Sequence, residues 1–416
     1  MQQIHLTIKT LTPTLMGGAF SQNDGIRPSE IKGMMRYWFR AVAMSIVGDD
    51  IQTLKFLEEK VFGSQKRKSP FRILIENFEK DKHLDNLDWE NLPSGTKYLG
   101  FVINMNKERI NNVIKAGTEF KIKLLFKNST NENLIKIVAY SFYLATALGG
   151  FGLRSRRSFG SWQIKNIKTE NIEIDFESLQ SYGLSGENSN KKGNILNIIK
   201  NLIEELKNLH QGLNSIDTNK NLVNKYFIYI HKLNGNSWKY ALNDLGNKYQ
   251  NYRKHYNNTT AEYHNIKNFL KYECKWKQIN KNEWNFAFGL PIQLNSRSNN
   301  GNSIKGLLNY NNKILKVGKF KIKHGKNYLE RLPSSVWFSI KESEKDKYFA
   351  ILTYLEGKLF PDEKNDEVIF EFDKNLKLKN LCEEPPKNVK VAYDANELKE
   401  RAKRFVKEGL NNVKKN

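Results

Sequence analysis

The stretch "ENLIKIVAYSFYLATALGGFGLRSRRSFGSWQIKNIKT", residues Glu132 to Thr169, decides how the first part of this chain folds. Its opening run is apolar at helical spacing, long enough for roughly four turns, and stops at a glycine pair, a common helix terminus. Its closing "WQIKNIKT" reads as a strand. Between them lies "GGFGLRSRRSFGSW", with glycines at 149, 150, 152 and 160 and arginines at 154, 156 and 157. Glycines let a backbone turn with positive φ and bring peptide N–H groups close to an anion, while the forked donors of Arg154, Arg156 and Arg157 fit phosphate oxygens. The loop contains no GxxxxGK[ST] pattern, and it follows a helix instead of leading a strand into one, so ATP and dinucleotide readings fall. Phe151 and Phe159 could stack on unpaired bases, but phenylalanines beside glycines more often anchor a loop into its own core.

Upstream, Ile4 to Leu11 alternates as a strand, and "TPTLMGGAFSQNDGIRP" supplies a long loop before the next element. The segment "PSEIKGMMRYWFRAVAMSIV" has Pro28 in its first turn and Ile31, Met34, Met35, Trp38, Val42 and Ile46 at helical spacing, which predicts an amphipathic helix. A short helix near Ile51 to Val61 precedes the basic turn "SQKRKSP" and the strand "FRILIENF". "KYLGFVINM" reads as a further strand, an insertion, and "TEFKIKLLF" as one whose Phe120, Ile122, Leu124 and Phe126 share a buried face. Without the insertion the order is β-α-β-β-α-β, the split βαβ arrangement with two helices on one face of an antiparallel sheet. The glycine loop then joins the second helix to the fourth strand. The first helix also carries Lys32, Arg36 and Arg40 on one stripe, which would border a common groove with that loop.

Past residue 170, "SYGLSGENSNKKGN" reads as a linker or surface insertion, which sets an expected boundary between residues 1–170 and 171–416. "ILNIIKNLIEELKNL" predicts a helix, "KYFIYIHKL" a strand, and Trp238 to Trp276 a weakly patterned helical region. "FAFGLPIQL", "SVWFSI", "KYFAILTYL" and "VIFEF" are strand candidates, and "DANELKERAKRFVKEGL" a closing helix capped by Asp394. The fold class expected is α+β.

The 416 residues carry 68 Lys and Arg against 44 Asp and Glu, a formal charge of +24 that suits a polyanionic partner, nucleic acid first. No secretory signal pattern opens the chain and no apolar run would span a bilayer, so no membrane partner is expected. Cys274 and Cys382 stand far apart outside any CxxC spacing, and His264 with Cys274 makes no more than an isolated pair. No metal or other cofactor is assigned, and a reducing cytoplasm fits best.

"LTPTLMGGA", "IRPSEIKGMMRYWFRA", "VFGS" and the glycine loop together resemble the RAMP proteins of CRISPR systems, within them the first-subunit family of the Cmr (type III-B) effector complex. The likeness is dense through residues 4 to 162 and thinner beyond, where "FGLPIQL" and "ERLPSSVWFSI" carry it. It implies two tandem ferredoxin-like, RRM-related domains with helical insertions, and a subunit without its own nuclease role. It also implies a place near the guide 3′ end, contacting guide RNA and target RNA, beside a neighbouring head RAMP subunit and the repeating backbone subunit. Carried over by residue, RNA contacts fall on Gly149, Gly150, Gly152, Arg154, Ser155, Arg156, Arg157 and Gly160, and on Lys32, Arg36 and Arg40. Ser158 departs from the pattern, standing after the paired arginines where the family has Gly, and a non-Gly residue disfavours positive φ.

The competing class is a RAMP-type RNA endonuclease. A metal-independent one needs an acid and base near neutral pH, usually His, and no His occurs between Thr7 and Lys82. His5 falls inside the first strand. Asp24 lies in the loop after that strand, where the backbone subunit of the complex uses an Asp, but Asp24-Gly25 is also a common turn pair. The residues thus predict a binding protein and no catalytic set.

Overall fold

The computed structural model describes residues 1–18, 22–172, 179, 188–213, 226–254, 278–280, 293–296, 315–329, 334–343, 347–356, 365–372, 388–408 and 410. The chain divides into two compact units, Met1–Lys248 with Trp337–Leu355, and Tyr249–Val336 with Glu356–Asn416. Compactness therefore divides the chain at other places than the expected cut after residue 170.

In the first unit, β1 (Gln2–Thr10), β2 (Phe71–Glu76), β5 (Glu119–Phe126) and β6 (Trp162–Glu170) form one sheet in the order β2-β5-β1-β6. All three pairings are antiparallel. With α1 (Pro28–Val47) between β1 and β2, and α5 (Glu132–Ala147) between β5 and β6, this is the split βαβ arrangement. Strand alternation puts Ile4, Leu6, Ile8, Phe120, Ile122, Leu124 and Phe126 into the core, where they meet Met35, Trp38, Phe39 and Val42 of α1. The opposite sheet face presents Lys121 and Lys168 at the surface and His5 and Thr7 half-exposed, while Gln163 on it is buried.

The helix α2 (Ile51–Phe62) is capped by Asp50, whose side chain accepts from the Thr53 N–H, and ends at Gly63 with φ +75. The run "KYLGFVINM" is not a strand. It forms the end of helix α4 (Ser94–Leu99) and a 3₁₀ turn, Ile103–Met105, because the Gly100 N–H bonds to Thr96 O and the Ile103 N–H to Gly100 O. Both lateral edges of β1 are already paired, and this run has apolar composition without alternation. A short helix, α3 (Lys80–His83), leads into β3 (Leu84–Asp85), which pairs with β4 (Val113–Ile114) in a small ladder.

After β6 the chain stays with this unit. Helix α6 (Asn188–Leu209) buries Ile198, Ile199, Leu202, Ile203 and Leu206 in the same core, so Asn188 to Asn194 are helix where a linker was expected. A three-stranded sheet follows in the order β12 (Val336–Ser343), β13 (Lys347–Leu355), β7 (Tyr226–Lys232). Helix α7 (Trp238–Lys254) begins where predicted; residues 255–276, and all of "FAFGLPIQL" except Gln293 and Leu294, lie outside the described residues.

The second unit holds a six-stranded sheet. Its order is β11 (Asn327–Leu329), β10 (Leu315–His324), β14 (Glu367–Phe372), β15 (Asn388–Ala392), β8 (Gln278–Asn280), with β9 (Gln293–Ser296) also on β10. Its pairings are antiparallel except β15 with β8. Helix α8 (Ala395–Glu408) starts at Asp394, whose Oδ1 accepts from the N–H groups of Asn396 and Glu397, and Phe405 packs on Tyr249 and Tyr252. Among the described residues no helix is long and apolar enough to cross a membrane.

Candidate nucleic-acid interface

The glycine loop is a tightly held turn, and most of what holds it is backbone. Its outgoing limb is tied back to its incoming limb by the Phe151 N–H to Gly160 O bond of 2.9 Å. Its sides are sewn to the segment after β1: Leu153 N–H donates to Leu15 O at 2.8 Å, Gly160 N–H to Pro13 O at 2.8 Å, and Leu11 N–H to Ser161 O at 2.8 Å. Two glycines are required by this weave. Gly152 has φ +86 and a Cβ there would collide with Leu15 O, while Gly160 has φ +68 and a Cβ there would collide with Phe151 O. Gly149 and Gly150 are buried at the helix end. Phe151 stacks on Trp162 with centroids 4.0 Å apart, and both Phe151 and Phe159 are fully buried, so the two phenylalanines anchor the loop.

Ser158 takes the left-handed conformation, φ +66, a region that favours glycine. Its carbonyl accepts from Thr12 Oγ1 at 2.6 Å and from Ser161 Oγ at 3.0 Å, while its own hydroxyl is buried without a hydrogen-bond partner. The loop shape is therefore kept with a strained residue in it.

The three arginines do not point one way. Arg154, at φ +63, donates from Nε and Nη2 to Leu99 O at 2.8 and 2.6 Å. Arg156 lies between two rings, its guanidinium carbon 5.2 Å from the Tyr37 centroid and 4.5 Å from that of Trp337, and burial pulls its pKa down. Arg157 is 6% exposed, lies 4.8 Å over the Phe338 ring, and donates from Nη1 to Arg156 O. Gly152, Leu153, Arg154, Ser155 and Arg156 are half-exposed and form the accessible crest of the turn.

The stripe on α1 faces elsewhere. Lys32 Nζ sits 4.8 Å over Phe71, and burial, then Arg36, lowers its pKa. Arg36 pairs with Glu58 Oε1 at 2.8 Å and donates to Phe62 O at 3.1 Å and Gly63 O at 2.6 Å, tying α1 to the end of α2. Arg40 is exposed and stands 3.5 Å from the same Glu58. The loop meets α1 instead through Tyr37, so the stripe and the crest occupy different sides of that helix.

Sequence reasoning missed the group that joins the loop's two stems. Lys341 of β12 is fully buried, and its Nζ donates to Thr146 O at 2.6 Å and Trp162 O at 2.7 Å, one carbonyl before the loop and one after it. Desolvation lowers its pKa to about 7. The sole sequence signal is a lysine directly after the apolar strand "SVWFSI". Beside it, Gln163 and Glu342 exchange backbone-to-side-chain bonds, and Glu342 pairs with Lys9 at 2.7 Å.

His5 lies on the open sheet face, 3.2 Å from Glu170. Asp24 is exposed in the loop after β1, where its N–H donates to Met16 O at 3.2 Å and Gly25 follows with φ +89.

Residues 7–163 match the pattern of the RAMP superfamily. The chain is 35% identical over 164 residues to the CRISPR system Cmr subunit Cmr1-1 of Pyrococcus furiosus, a match covering 38% of this chain and 47% of that protein. To Cmr1-2 of the same organism it is 28% identical over 188 residues, 40% of this chain and 98% of that protein. The chain thus spans about half the length of the first relative. Its fold resembles the crystal structure of apo Cmr1 from Pyrococcus furiosus, with TM-score 0.52 and 20% identity over 91% of this chain and 94% of that one. It also resembles a chain of the type III-B Cmr-beta complex bound to cognate target RNA and AMPPnP, with TM-score 0.55 and 15% identity over 98% of this chain and 99% of the other. These structural likenesses agree with the mixed α/β fold and its antiparallel sheets.

Proposed function

We propose that this chain, which carries the RAMP pattern over residues 7–163, is a non-catalytic RNA-binding subunit of a type III-B CRISPR ribonucleoprotein. The observation that carries the reading is the glycine loop, a rigid turn with a half-exposed, arginine-bearing crest on a protein of net charge +24. A rigid crest loses little conformational freedom when an anion docks, so more of each contact is kept as affinity. In this reading Gly152, Arg154, Ser155 and Arg156 touch the RNA backbone, while Gly149, Gly150, Arg157 and Gly160 keep the crest in shape. Of the α1 stripe, Arg40 is the exposed cation offered to RNA, Lys32 contributes at its margin, and Arg36 anchors the helix.

In this reading the chain sits near the guide 3′ end, where guide RNA and target RNA would both pass and where a head RAMP subunit and the repeating backbone subunit would be neighbours; what supports it is the likeness to a Cmr subunit. Two ferredoxin-like cores in tandem, nominally residues 1–170 and 171–416, complete the proposal; the split βαβ sheet of the first unit supports the first. Such contacts to backbone oxygens carry little sequence information, so base preference is weak. A crosslinking map of RNA on this subunit within the intact complex tests the reading. Crosslinks at Gly152 to Arg156 are expected, and a map with RNA on other subunits alone would overturn it.

A further inference from the structure

The sheet face turned away from α1 and α5 contains a hollow of about 350 Å³, lined among others by His5, Thr7, Lys121, Asn166, Lys168 and Glu170. Strand register explains the cluster. His5 stands opposite Lys123 on one side and Lys168 on the other, and Thr7 opposite Lys121 and Asn166, giving two adjoining polar rows. Residues two apart on a strand are separated by about 7 Å, and positions two strands apart by about 10 Å, so these lysines form a compact cationic field. A β-bulge between Thr7 and Ile8 makes Lys165 an extra, exposed residue at its margin.

Some of this charge is neutralised within the fold, because Lys123 pairs with Glu76 at 2.8 Å and His5 with Glu170 at 3.2 Å. Lys121 and Lys168 are different. Both are exposed, and among the described residues neither has a carboxylate within ion-pair distance. Thr7 and Asn166, both half-buried, complete the row that Lys121 begins, beside the row that ends in Lys168. The hollow therefore offers donors nearly throughout and one carboxylate, and no aromatic side chain other than the His5 ring lines it. That chemistry suits phosphate oxygens and not the faces of bases.

We infer that this hollow holds the phosphodiester backbone of a single RNA strand, as a second contact apart from the glycine loop. The loop enters the sheet at the Thr10 and Trp162 end, about 17 Å along β1 from His5, so the two contacts would engage different phosphates of one strand. The inference rests on the RNA-binding reading above.

The test is fluorescence anisotropy of a fluorescein-labelled oligouridine titrated with the full chain, wild type and Lys121→Gln/Lys168→Gln, over a series of salt concentrations. Loss of two phosphate contacts lowers the log–log salt slope by about 1.4, and weakens binding roughly 25-fold at 0.1 M salt. Equal affinity and slope in the two proteins would overturn the inference and leave RNA binding by this chain intact. No binding by the wild type at low salt would overturn RNA binding itself, and this inference with it. A variant that binds RNA normally but fails to join the assembled complex would also overturn it, assigning the face to an acidic protein partner.

Discussion

At the scale of single residues, the glycine loop is held by one side chain that local pattern does not single out, Lys341, and carries one strained residue, Ser158. Lys341 presents its nitrogen to the carbonyls of Thr146 and Trp162. Its pKa falls from 10.5 to about 7 through burial, so between those values the unfolded chain holds a proton that the folded one has released. Unfolding then takes up a proton, and stability rises with pH across that window, by up to about 1.4 kcal/mol per pH unit. Relative to Lys341→Met, the wild type should therefore gain in Tm from pH 7 to pH 10 and gain nothing below pH 6; parallel profiles would show that the lysine keeps an ordinary pKa. Ser158 makes the second case, since its positive φ and its unpartnered hydroxyl each cost stability. Ser158→Gly relieves both and should stabilise by roughly 1–2 kcal/mol in denaturant titrations. Ser158→Ala relieves the hydroxyl alone and should gain less, which separates backbone strain from the orphaned donor.

At the scale of elements, periodicity was readable wherever one face of an element is buried and the other is wet. The alternation of Phe120, Ile122, Leu124 and Phe126 and the apolar stripe of α1 are direct images of burial, and both elements form where expected. "KYLGFVINM" failed for the same reason in reverse, because it packs its apolar residues without a two-residue period, and Gly100 closes a helical turn instead of extending. The basic stripe of α1 shows another limit. Spacing placed Lys32, Arg36 and Arg40 on one face, but whether that face meets solvent or α2 depends on Glu58, a tertiary neighbour. Arg157 follows the same logic, because Phe338, the ring it covers, lies on a strand far along the chain. Local pattern thus located the loop and its flanking elements, and long-range contacts decided which arginines it exposes.

At the scale of the whole molecule, the excess of 24 positive charges and the RAMP pattern argue for binding RNA, and the question left open by both is cutting it. Asp24 is the residue through which an endonuclease reading would run, by its position in the loop after β1. Its surroundings give it a structural role, since its N–H closes onto Met16 O, Gly25 beside it has φ +89, and together they turn the chain toward α1. Metal-assisted phosphoryl chemistry needs oxygen ligands that converge on the ion, and acid–base cleavage needs a group that titrates near neutral pH. A single exposed Asp in a glycine turn supplies no converging ligand set by itself. Asp24→Asn keeps size and hydrogen-bonding shape while removing the charge, so it isolates chemistry from folding. A complex assembled with the variant should cut target RNA at the same positions and rate as the wild type. Loss of a cut that maps to this subunit would make Asp24 catalytic and replace the binding-protein reading with an enzymatic one.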